Sequence, residues 1–210
     1  MAIDDLLDQH EQSERVRTWL RNNGAALIGG VLLGLAAIGG WKWWQQHEHA
    51  QNVAAGQQYQ AALQAIEAGD LAKAQPKVGA LSDPPYASLA SLQLARAQLL
   101  AGERDAAIAT LRATRPTDPA LARIVQVRLA RLLVDTGKPQ EALDLLAEAD
   151  HAGALEARGD AQAALGQHEQ ARASYTRALT LLDVGAPQRR LLELKLTAVG
   201  GAPGQPGANT

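Results

Sequence analysis

The sequence has no cysteine, no phenylalanine and a single methionine, and aromatic residues make up 3 % of its 210 positions. Without cysteine there is no disulfide framework, no thiolate nucleophile and no zinc–thiolate site, an absence that suits an oxidising compartment. All four tryptophans, Trp19, Trp41, Trp43 and Trp44, lie in the first 44 residues, so the remainder has only Tyr59, Tyr86 and Tyr175 as aromatics. A core there must be built from alanine and leucine, which brings helices close together. No segment alternates polar and apolar residues with a period of two, so no strand is expected. A glycine-rich phosphate loop and a nucleophile elbow are also missing. His47 and His49 are two apart and do not share a helix face, while His10, His151 and His168 are isolated. With no convergent nucleophile and base, no metal cluster and no cofactor motif, the chain reads as a non-enzyme that needs no cofactor. The net charge is −2; the first 21 residues hold five acids and three arginines, leaving 17 of each sign beyond them. That balance argues against a nucleic-acid-binding surface, which requires a basic patch.

The most informative feature that is present lies near the N-terminus. The 20 residues from Asn22 to Trp41 carry no charge, and Gly24–Gly40 is almost wholly Ala, Leu, Ile, Val and Gly. As a helix such a run is about 30 Å long, the thickness of a bilayer's hydrocarbon core. Trp41-Lys42-Trp43-Trp44 follows at once and reads as an aromatic belt at the lipid–water boundary. Arg15, Arg17 and Arg21 precede the span and only Lys42 follows it closely, which places the N-terminus in the cytoplasm and the long C-terminal part outside. A cleaved signal peptide fits poorly: the 21-residue leader begins acidic, and the apolar run ends in a Trp-Lys-Trp-Trp block, not in a small-residue cleavage site. Ala26, Gly30 and Gly34 recur every four residues, a small-residue stripe against which another membrane helix could pack. In the leader, Ile3, Leu6, Leu7, Val16, Trp19 and Leu20 fall at loosely helical spacing, compatible with an interfacial amphipathic helix or a partly ordered tail.

Beyond the span the sequence repeats. Gly69, Gly102, Gly137 and Gly166, spaced by 33, 35 and 29 residues, each stand between two helical runs. Five residues after each comes Ala74, Ala107, Ala142 or Ala171; nine after comes Val78, Leu111, Leu146 or Tyr175; seven before comes Ala62, Ala95, Ala130 or Gly159. Small residues where two antiparallel helices cross, with bulky ones between repeats, form the tetratricopeptide pattern, whose period is about 34 residues. Pro76 is expected to interrupt the second helix of the first repeat, and Pro116 and Pro119 mark a later break. The segment 187–199 reads as a terminal helix covering the last repeat, and 200–210, rich in Gly, Pro and Ala, as a disordered tail. The expected fold is therefore all-α: a leader over 1–21, a transmembrane helix over 22–44, and over 45–199 a tetratricopeptide-like α-solenoid of about four helix pairs with a C-terminal capping helix.

A helical solenoid presents a groove lined by the first helix of each repeat. Counting from the small-residue anchors, the groove candidates are Tyr59, Leu63, Leu92, Arg96, Leu99, Val127, Arg131 and Asp160. Arg96 and Arg131 occupy the same position in neighbouring repeats and could bond a carbonyl or carboxylate of a bound segment, with Leu92 and Leu99 in apolar contact. Arg158-Gly159-Asp160 spells an adhesion tripeptide, but Gly159 falls on a small packing position, so the match is a coincidence of composition.

Taken in order, Trp19-Leu20-Arg21-Asn22-Asn23-Gly24, the glycine-rich span, Gly40-Trp41-Lys42-Trp43-Trp44, Tyr86-Ala87-Ser88-Leu89-Ala90, Leu94-Ala95-Arg96, Leu129-Ala130-Arg131 and Arg158-Gly159-Asp160 resemble the YfgM-like ancillary subunits of the SecYEG translocon over nearly the whole chain. The Gly/Pro-rich tail is not attributed to that pattern. The resemblance implies a non-enzymatic inner-membrane adaptor with periplasmic repeats. It would associate with the translocon and with a membrane-anchored periplasmic chaperone of the prolyl-isomerase-like class. It also implies an alternative role for some members, in which the cytoplasmic leader binds a response regulator of an envelope stress response.

Overall fold

The computed structural model describes residues 4–202, and side chains from residue 17 onward except at position 27. Among the described residues there are nine helices and no strand: α1 (Asp4–Glu67), α2 (Leu71–Gly79), α3 (Pro84–Leu100), α4 (Arg104–Ala113), α5 (Pro119–Asp135), α6 (Pro139–Leu145), α7 (Ala152–Ala164), α8 (His168–Thr180) and α9 (Arg189–Ala198). The chain divides into two compact units, Met1–Ala54 and Ala55–Thr210.

The described part of the first unit is helical throughout and belongs to α1. Ile28, Val31, Leu32, Leu33, Leu35 and Ile38 are each at least 60 % exposed. A helix apolar on every side over this length has the composition of a membrane span. It is the one helix among the described residues long and apolar enough to cross a membrane. Trp41 and Trp44 meet edge to face with centroids 5.5 Å apart, and Trp43 stacks on His47 at 5.8 Å, as neighbours three and four apart on a helix must. The backbone is helical through most of the leader, whose first apolar side chains lie outside the described residues.

The second unit is a run of helix pairs. The first pair is the end of α1 with α2; α3–α4, α5–α6 and α7–α8 follow. Each pair turns at one of the repeat glycines, and the turn explains the glycine. Gly69, Gly102, Gly137 and Gly166 have φ of 72°, 82°, 76° and 73°, a region that a side chain disfavours. The following N–H reaches back five residues in every case: Asp70 to Ala65 at 3.1 Å, Glu103 to Gln98 at 2.8 Å, Lys138 to Leu133 at 2.8 Å and Gln167 to Gln162 at 2.9 Å. This Schellman closure satisfies carbonyls left open at each helix end. Helix starts are equally explicit. Asp70, Asp83 and Asp118 accept the N–H groups of Lys73, Tyr86 and Leu121, and Pro84, Pro119 and Pro139 open their helices, where a missing N–H costs nothing.

The four alanines five residues beyond the glycines are fully buried, and Val78, Leu111, Leu146 and Tyr175 fill the spaces between pairs. The core runs as three consecutive clusters. Ala62, Ile66, Val78 and Leu94 belong to the first; Leu111, Leu129, Leu133 and Leu146 to the second; Leu155, Tyr175, Leu192 and Leu196 to the third. Such serial burial, each pair leaning on its neighbours, is the energetic form of a solenoid. α9 buries Leu192 and Leu196 against the last pair and leaves Leu191 and Leu194 exposed, as a capping helix does.

Two details differ from expectation. Pro76 does not interrupt α2: the helix continues to Gly79, and Pro76 O accepts the N–H of Ala80 at 3.0 Å. Burial of Ala74 and Val78 on either side of the proline holds the helix through the one missing backbone bond. Gly200 and Gly201, read as the start of the tail, instead close α9: Gly200 has φ of 82°, and Gly201 N–H bonds Leu196 O at 2.9 Å. Residues 203–210 of that expected tail lie outside the described residues.

Candidate functional site

α5 packs along α7, but α3 does not pack along α5 in the same way. The space between α3 and α5 is an open groove of about 780 Å³. Leu92, Ala95 and Leu99 of α3, Leu111 of α4 and Leu132 of α5 supply its apolar surface. Arg96, Arg104, Arg128 and Arg131 line it as well, with Asp135 the single acid. Four guanidinium groups against Asp135, with Arg131 paired to Glu156 at 3.0 Å, leave a local charge of +2. The even count of charges in the sequence is therefore not even in space, and a concave site lined by one sign of charge concentrates its field on whatever enters.

The two helix pairings differ in one polar contact. Arg131 Nη2 donates to Glu156 Oε2 of α7 at 3.0 Å. Glu156 stands ten residues before Gly166; the residue ten before Gly137 is Val127. Thus α7 offers Arg131 a carboxylate, whereas the corresponding residue of α5, Val127, is buried in the second core cluster and does not line the groove beside Arg96. Arg96, Arg104 and Arg128 form no side-chain ion pair or hydrogen bond among the described residues, and all three are exposed.

Of the eight groove candidates, the structure gathers Leu92, Arg96, Leu99 and Arg131 around this one site. The other four lie elsewhere. Tyr59 stacks on Tyr86 with centroids 5.0 Å apart, and Leu63 packs beside it on the first core cluster. Val127 is buried in the second cluster. Asp160 is held in a polar network: it accepts the Tyr175 hydroxyl at 2.8 Å and the Lys195 ammonium at 2.7 Å, and Lys195 also reaches Glu156 at 2.7 Å. The chain of groups Arg131–Glu156–Lys195–Asp160–Tyr175 ties α5, α7, α8 and α9 together. Burial first, then the bond to Asp160, pushes the Tyr175 phenol well above its ordinary range. The sequence reading missed Arg104 and Arg128, although Arg128 stands three residues before Arg131 and so shares its helix face.

The adhesion-like tripeptide is consumed by packing. Arg158 donates to the carbonyls of Leu146, Ala147 and Ala149 beyond α6, Gly159 lies under Tyr175, and Asp160 is engaged as described. At the start of α7, His151 Nδ1 accepts the Ala154 N–H at 3.3 Å, while its Nε2 is buried without a hydrogen-bond partner. Burial, and secondarily the charge of Arg123, holds this imidazole below its usual pKa. In the first unit, Ala26, Gly30 and Gly34 are exposed on α1, and a methyl group added at Gly30 or Gly34 would meet nothing within 4 Å.

The chain is 29 % identical over 197 residues to the ancillary SecYEG translocon subunit of Escherichia coli (strain K12), covering 90 % of this chain and 95 % of that one. It is 28 % identical over 181 residues to the protein of the same name from Haemophilus influenzae (strain ATCC 51907 / DSM 11121 / KW20 / Rd), covering 82 % of this chain and 89 % of the relative. A family model described as a tetratricopeptide repeat-like domain matches residues 17–201. With glycine-closed helix pairs running through most of that stretch, the chain belongs to the tetratricopeptide repeat-like domain family.

Proposed function

We propose that this protein is a non-enzymatic inner-membrane adaptor associated with the SecYEG translocon, which links exported proteins to periplasmic chaperones through its repeat unit. The observation that carries the reading is one chain holding both an uncovered apolar helix of membrane-spanning length and a repeat unit with an open groove. The names of its relatives supply the translocon as the partner. In this reading residues 22–44 cross the bilayer once, 1–21 remain in the cytoplasm and 45–199 stand in the periplasm, as the arginine bias requires. The small-residue stripe of Ala26, Gly30 and Gly34 docks against a membrane helix of the channel. The groove around Leu92, Arg96, Leu99 and Arg131 engages the chaperone or the emerging chain.

Photo-crosslinking in living cells from positions 34, 96 and 131 tests the proposal. Capture of a translocon subunit from position 34 and of a membrane-anchored chaperone of the prolyl-isomerase-like class from 96 or 131 is expected; no secretion component at any position overturns it. Protease added to spheroplasts should digest the repeat unit while the inner membrane is sealed. Protection until lysis would reverse the proposed orientation.

A further inference from the structure

We infer that the groove between α3 and α5 binds an acidic, leucine-bearing polypeptide segment whose carboxylate pairs with Arg96 and Arg128 as Glu156 pairs with Arg131. The inference rests on the adaptor reading and adds the chemistry of the partner. Inside the repeat unit the structure shows what satisfies an arginine at this position: where a carboxylate faces Arg131 across adjacent first helices, the two helices pack. Opposite Arg96 the corresponding position of α5 is an apolar residue turned into the core, Arg96 has no acid partner among the described residues, and the groove is open. A carboxylate carried by another polypeptide completes the missing pair.

The rest of the site selects among anionic ligands. Leu92, Ala95 and Leu99 follow one another along α3 over about 10 Å at the helical rise, which suits two or three apolar side chains of a bound segment. A nucleic acid would call for aromatic rings on which bases stack, and no lining residue is aromatic. The guanidinium groups of Arg96, Arg104 and Arg128, free of partners among the described residues, can each bond a carboxylate through two parallel N–H groups. Acids read the rim and leucines read the floor, the usual division between polar specificity and apolar contact in a peptide groove.

The test uses the 210-residue chain in phosphatidylcholine nanodiscs, so that no anionic lipid competes. The probe is a fluorescein-labelled twelve-residue peptide of Asp, Glu and Leu, with its leucines at helical spacing, followed by anisotropy. Saturable binding that weakens as salt rises is expected. Substituting Arg96→Glu together with Arg128→Glu should weaken it at least about tenfold, the scale of losing charge-assisted hydrogen bonds. Leu99→Ser should weaken it by about fivefold, from the lost apolar area. Lys73→Glu, outside the groove, should change nothing. Circular dichroism confirms that each variant folds; the milder pair Arg96→Gln with Arg128→Gln should weaken binding in the same direction. Equal binding of a peptide with lysine at every acidic position overturns the inference, as does binding untouched by the arginine substitutions. Arginine-dependent binding of a single-stranded oligonucleotide or of phosphatidylglycerol vesicles, without binding of the acidic peptide, also overturns it and assigns the groove to another class of partner. No translocon is present in this assay. Peptide binding without cellular capture of secretion components therefore sinks only the adaptor reading, and capture without peptide binding sinks only this inference.

Discussion

Replacing Gly159 by alanine would place a methyl carbon 2.4 Å from Cε1 and 2.5 Å from Cδ1 of Tyr175. Gly159 is in the interior of α7, where alanine is ordinarily favoured over glycine by about 1 kcal/mol. Two effects oppose that gain. Overpacking a close-fitted core costs about 1–3 kcal/mol, and the Tyr175 ring has little room to retreat because it is only 2 % exposed. If the ring does shift, its 2.8 Å hydroxyl bond to Asp160 is strained or lost, at about 1 kcal/mol. The net expectation is a destabilisation of about 1–3 kcal/mol, opposite in sign to the helix-propensity effect. Urea unfolding of the whole chain measures it, and hydrogen exchange should show faster opening of α7 and α8 amides with α2 and α3 little changed, because a solenoid transmits stability mainly between neighbours. In a Tyr175→Leu background the collision is removed, and the same glycine-to-alanine change should stabilise by up to about 1 kcal/mol, giving a coupling of about 1–4 kcal/mol between the two sites. A neutral or stabilising effect with Tyr175 in place, or a penalty that persists with leucine there, would refute the packing argument.

Three further outcomes follow from the polar contacts. Because the folded chain holds His151 below the ordinary histidine pKa of about 6.5, the unfolded chain takes up the proton more readily, so stability is full above that pH and declines as pH falls through it. His151→Asn keeps a side-chain acceptor at the start of α7 and removes the titration, and its melting temperature should vary less between pH 7.5 and 5.5 than that of the parent. Lys195→Met leaves Glu156 with Arg131 and Asp160 with Tyr175 but removes both ties to α9; a loss of about 1–2 kcal/mol, concentrated in α9 exchange rates, is expected. Asp118→Ala deletes the 2.8 Å cap on Leu121 N–H and should cost about 1 kcal/mol in urea unfolding.

Much of the fold could be read along the chain because its determinants are local. Each repeat glycine is set by one backbone turn, so its spacing alone located Gly69, Gly102, Gly137 and Gly166. The alanines and the larger residues nine positions on followed from helix periodicity within the same pair. Pro76 escaped this logic: a proline is a local signal for a break, and only burial of Ala74 and Val78 shows that packing overrides it. Gly200 escaped for the converse reason, since a flexible composition concealed a helix cap identical in form to the other four. The groove was half legible. Its apolar floor and the paired register of Arg96 and Arg131 came from the repeat, and Arg128 was within reach of the same helix periodicity, whereas Arg104 entered only once α4 was placed in space.

By itself, then, the sequence determined that this chain is all helical, that one uncharged stretch is long enough to span a bilayer, and where every helix pair turns, because hydrophobic run length, glycine φ preference and a 3.6-residue period act over a few residues at a time. Tertiary structure alone decided which arginines keep a partner. Arg96 and Arg131 occupy the same register, yet one finds Glu156 on the next first helix and the other faces the helix that carries Val127. Whether a charge is neutralised depends on what the neighbouring helix brings within about 4 Å, where a paired charge is held and an unpaired one stays open to a ligand, and that distance is a property of the packed helices.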